Sequence, residues 1–89
     1  MAKKRRKLNK DFEKKIYSSR KNVELVLAKI YDIDDEDIQK EYISAFNAVV
    51  YTYDQLKEDY EEKGFNDNSE EILKNYEKAF NVFESEFEI

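Results

Sequence analysis

The feature that most limits the fold is a missing one. The 89 residues contain no proline and a single glycine, Gly64. These are the residues that break helices most readily, so a chain nearly free of them favours long helices. The apolar spacing agrees. Leu8, Phe12, Ile16, Val23, Val26, Leu27 and Ile30 follow helical spacing, with Ser19 and Arg20 in a gap on that face. Ile38, Tyr42, Phe46, Val49, Tyr53, Leu56 and Tyr60 recur every three or four residues, and so do Ile72, Tyr76, Phe80, Phe83 and Phe87. Over 38–60 the mean step is about 3.7 residues, nearer a straight helix than a heptad supercoil.

Local chemistry marks the ends. Asn9 is a suitable cap for a first helix, with Asp11 and Glu13 in its first turn. Asp34 is the expected cap of a second, with Ile33 and Ile38 at the spacing of a hydrophobic staple. Gly64 suits a left-handed residue ending that helix, with Phe65 folding back on Tyr60 as in a Schellman motif. Asn68 and Glu71 have the spacing of a capping box for a third helix. The spacing therefore predicts helices over 10–32, 35–63 and 69–88, about 34, 43 and 30 Å long.

Short connections make neighbouring helices antiparallel, so the expected fold is an all-α, up-down-up three-helix bundle. The alternative is a long helical hairpin completed by oligomerisation. The stretch Ala45 to Tyr53 is apolar on more than one face, as a central helix requires. One helical domain over 9–89 is expected behind a basic arm over 1–8.

The net charge of −5 hides an asymmetry. Residues 1–10 hold six basic residues and no acid, while 11–89 hold ten basic residues and all 21 acids. The arm, Lys3, Lys4, Arg5, Arg6 and Lys7 with Lys10, is the candidate contact for nucleic acid or an acidic partner surface. The acidic run Asp32, Asp34, Asp35, Glu36 and Asp37 lacks the glycine and closing glutamate of an EF-hand, and reads as a helix start. In an up-down-up bundle it shares one pole with Glu84, Glu86 and Glu88, giving a candidate acidic face. The arm then lies at the other pole, beside Glu58, Asp59, Glu61 and Glu62. Of the seven tyrosines, Tyr31 and Tyr51 fall off the stripes and are candidate interface anchors.

The chain has no histidine and no cysteine. It thereby lacks the commonest general base, the thiol nucleophile and the usual zinc ligands. One glycine also precludes a glycine-rich phosphate loop. No catalytic activity, cofactor or metal is expected. The positive N-terminus has no apolar stretch behind it, so no secretory signal is expected, and no run is long enough to span a membrane. The expected location is cytoplasmic. The Lys-, Asn-, Ile- and Tyr-rich usage is similar in composition to small proteins of AT-rich bacteria and their phages. That resemblance implies a phage or mobile-element accessory protein, in the host cytoplasm or the virion.

The functional expectation is a small non-catalytic helical binding protein, an adaptor or inhibitor, acting through its basic arm and acidic helix faces. A protein partner is expected, with nucleic acid a further candidate through the arm and a homo-oligomer an open alternative. The other functional reading is a structural component of a larger assembly such as a phage particle, the arm touching nucleic acid or a neighbouring subunit.

Overall fold

The computed structural model describes residues 7–89, which are 82% helical. They form three helices, α1 (Lys10–Tyr31), α2 (Glu36–Lys63) and α3 (Ser69–Glu86), in an all-α three-helix bundle. The central element is α2, which packs against both α1 and α3. Among the described residues, the α1 and α3 backbones do not approach one another closely. They meet instead through side chains.

The core follows the apolar stripes. α1 buries Phe12, Val23, Val26 and Ile30; α2 buries Phe46, Val49, Tyr53 and Leu56; α3 buries Leu73, Tyr76 and Phe83. The α2–α3 seam is aromatic. Phe46 meets Phe83 at 4.8 Å and Phe80 at 6.3 Å, and Tyr42 meets Phe87 at 4.8 Å, all edge to face. Such pairs contribute beyond the area they bury. The gap in the α1 stripe also has a use. Ser19 is buried, and its backbone carbonyl accepts a hydrogen bond from the Tyr76 hydroxyl at 3.2 Å. The small residue leaves room for that ring to reach α1 from α3.

Asn9 caps α1, accepting from the Phe12 amide at 3.0 Å. The other ends differ from the sequence expectation. Asp35, not Asp34, caps α2, accepting from the Asp37 and Ile38 amides at 2.9 and 3.1 Å. With Asp35 as the cap, Ile38 is the third helical position and not the fourth, so the staple spacing with Ile33 is lost, and Ile38 is left exposed. Leu8 is exposed as well, because it precedes the cap and is not on the helix.

Gly64 has φ 70° and ψ −162°, so the chain leaves α2 extended rather than in the left-handed helical turn of a Schellman ending. The Phe65 amide accordingly donates to the Lys7 carbonyl at 2.6 Å, and Phe65 packs on Phe12. The Asn68 side chain makes no capping bond to α3. Asn66 organises that turn instead. Its side-chain amide donates to Asp59 at 2.9 Å and to the Gly64 carbonyl at 3.0 Å, and its side-chain oxygen accepts from the Asn68 amide at 2.9 Å. At the other turn the Gln39 amide reaches the carbonyls of Ile30, Tyr31 and Ile33, which closes the end of α1.

Candidate functional site

Lys7 of the basic segment is held in the fold. A bridge joins Lys7 to Gly64, and two residues on, the Asn9 amide donates to the Tyr60 hydroxyl at 3.0 Å. That hydroxyl in turn donates to the Glu13 carboxylate. The start of α1 is thereby tied to the end of α2, the pole at which topology placed the arm. Among the described residues, Lys7 is attached, and it falls inside the 1–8 span expected as the arm. Lys3, Lys4, Arg5 and Arg6 lie outside the described residues. Lys7 and Lys10 are both exposed.

The basic surface continues beyond the segment named from sequence. Lys10, Lys14, Tyr17 and Lys21 follow steps of four, three and four residues, which set them on one stripe of α1. All four are exposed, Tyr17 by 57%. The Lys21 ammonium sits over the Tyr17 ring, 5.2 Å from its centroid. Lysine stems lying along an aromatic ring keep the charged head in water. The spacing was present in the sequence, but the denser run at 3–7 drew attention from it.

The three acids of α1 leave that stripe positive. Asp11 lies about a quarter turn away, Glu13 is engaged by Tyr60, and Glu24 pairs with Arg20 at 3.5 Å on the same helix. Among the described residues, Lys10, Lys14 and Lys21 have no carboxylate within ion-pair distance. The helix boundary also divides the charge of the whole chain. Residues 1–31 carry 11 basic residues and three acids, a net +8, whereas 32–89 carry five basic residues and 18 acids, a net −13.

The end of α3 lies beside the start of α2. The Tyr42 hydroxyl, on the second turn of α2, donates to the Glu88 carbonyl at 3.1 Å. Asp32, Asp34, Asp35, Glu36 and Asp37 therefore share an end of the bundle with Glu84, Glu86 and Glu88, and all eight are exposed. Asp35 is committed to capping α2. At the opposite pole, Asp59 holds Lys63 at 3.5 Å and the Asn66 amide, so this acid near a helix C-terminus fixes the turn. Among the described residues, no group of three or more acidic side chains is placed to hold a metal ion.

An open groove of about 780 Å³ runs between α1 and α3. Lys14, Lys15 and Lys29 line its α1 wall, and Glu77 and Glu84 its α3 wall. Tyr76 lies between the walls, and burial pushes its hydroxyl pKa up to about 12 against the ordinary 10.0. Burial raises Tyr53 too, with the Arg20 charge opposing. Tyr31 and Tyr51 are exposed, as their off-stripe positions implied.

Comparison of the chain with family models, curated proteins and solved structures gives no match. The site is therefore read from its own chemistry. Among the described residues, no helix is long and apolar enough to cross a membrane.

Proposed function

We propose that this chain is a non-catalytic helical binding protein, an adaptor or inhibitor, that engages a polyanionic partner. The contact surface is the N-terminal basic segment continued along the outer face of α1. The observation that carries this reading is the division of charge at the end of α1, +8 before it and −13 after it. A bundle packed through apolar stripes has no need of that division. It does give the molecule one surface that attracts phosphates, sulfates or carboxylates and a body that repels them. The lack of histidine and cysteine favours binding over catalysis.

The test is titration of labelled nucleic acids and heparin with the full chain, a variant lacking residues 2–6, and Lys14→Gln/Lys21→Gln. The deletion spares Lys7, whose carbonyl holds Phe65. Both variants should fold as the parent does and bind more weakly. Equal binding by all three forms contradicts the reading.

The alternative is a structural component of a larger assembly. It is favoured by a separate observation, the exposed Leu25, Tyr31, Tyr51 and Val82. Light scattering separates the two, since a monomer speaks for the first and a defined ring or higher oligomer for the second.

A further inference from the structure

We propose that the outer face of α1 is a binding track for single-stranded nucleic acid, with the Tyr17 ring as a stacking platform for a base and Lys10, Lys14 and Lys21 as phosphate contacts. This rests on the polyanion reading above and names the polyanion.

The track has the two elements that sequence-tolerant binding of single strands requires, spaced positive charge and an exposed aromatic face. Lys10, Lys14, Tyr17 and Lys21 span about 16 Å along the helix axis, with the ring between the lysines. Cations at both ends of such a track follow a backbone while the ring takes a base turned toward the protein. The Lys21 ammonium covers one face of the Tyr17 ring, so a base stacking there displaces it, and the freed charge then lies beside the base and its phosphate.

The choice of single strand over duplex follows from the ring. Bases in a duplex are stacked on one another and offer a tyrosine no free face, whereas a single strand exposes them. The neighbouring surfaces keep a strand on this face. Of the three acids on α1, Glu13 is engaged by Tyr60 and Glu24 by Arg20, and Asp11 lies about a quarter turn from the stripe. Across the open groove, Glu77 and Glu84 on α3 repel phosphates and confine them to the α1 side. Toward its N-terminal end the track is followed by exposed Lys7, a further positive charge for a longer strand.

The test is fluorescence anisotropy on the full chain, Tyr17→Ala, Tyr17→Phe and Lys14→Gln/Lys21→Gln. The probes are a labelled mixed-sequence single strand, its duplex, and heparin as a polyanion without bases. Tyr17→Ala should weaken single-strand binding by about fivefold or more, with duplex and heparin binding within about twofold of the parent. Tyr17→Phe should keep parental single-strand affinity, since the ring and not the hydroxyl does the stacking. The double lysine variant should weaken binding to all three probes and flatten the single-strand salt dependence by about 1.4 in log–log slope. Parental single-strand affinity in Tyr17→Ala overturns the proposal, as does tighter binding of duplex than of single strand. Heparin binding without nucleic-acid binding overturns the proposal and leaves the polyanion reading standing. Failure to bind any of the three overturns both.

Discussion

α1 and α3 pack on the same central helix yet present opposite exteriors. α3 meets α2 through the rings of Phe80, Phe83 and Phe87 and carries the acids Glu77, Glu84 and Glu86 on its exposed side. α1 meets α2 through Val23, Val26 and Ile30, with Phe12 against Tyr60, and exposes lysines and Tyr17. Both outer helices dock through apolar stripes, and the charge on their outward sides divides by helix.

The most severe way to break the comparison is to damage the element both helices share. Phe46 is fully buried on α2, 4.8 Å from the Phe83 ring. Phe46→Asp removes that ring and buries an unpaired carboxylate, at a cost of at least about 4 kcal/mol. A domain of this size has little stability beyond that. The helical circular dichroism signal should largely collapse, and melting like the parent would show that the core is elsewhere.

A smaller effect comes from the side chain joining the two outer helices. The Tyr76 hydroxyl titrates at about 12 in the folded state and at the ordinary 10.0 when unfolded. The unfolded chain therefore loses this proton first as pH rises. The stability it contributes is complete below pH 10.0 and is lost as pH climbs toward about 12, by about 3 kcal/mol in full. Tyr76→Phe should cost about 1 kcal/mol at neutral pH, from the lost bond to the Ser19 carbonyl. It should also lack that part of the alkaline decline. Urea unfolding of both proteins across this range checks the sign, and parallel pH profiles would contradict it.

Much of this architecture was legible in the spacing of apolar residues. Phe46, Val49, Tyr53 and Leu56 lie where their periodicity puts them, and the skipped turn at Ser19 marks where Tyr76 enters. Three helix ends were less legible. Asp34 and Asp35 are adjacent and chemically alike, so spacing does not choose between them, and whether Gly64 closes a Schellman turn or extends toward Lys7 depends on where a distant segment runs. The Asn66 and Gln39 bonds are local, side chains satisfying turn carbonyls and amides without any periodicity to betray them. The site was half legible. The run at 3–7 announced a basic surface, but its continuation through Lys14, Tyr17 and Lys21 emerges only when the exposed side of α1 is known.

The central claim is that the exposed face of α1, and not the acidic body, makes the functional contact. Amide chemical-shift mapping by NMR, with the full chain titrated with an unlabelled single-stranded oligonucleotide, tests it residue by residue. The largest perturbations should fall on Lys7, Lys10, Lys14, Tyr17 and Lys21, with Glu77, Glu84 and the Asp32–Asp37 turn unmoved. Perturbations centred on α3 or on the acidic pole, or none at saturating oligonucleotide, would contradict the account.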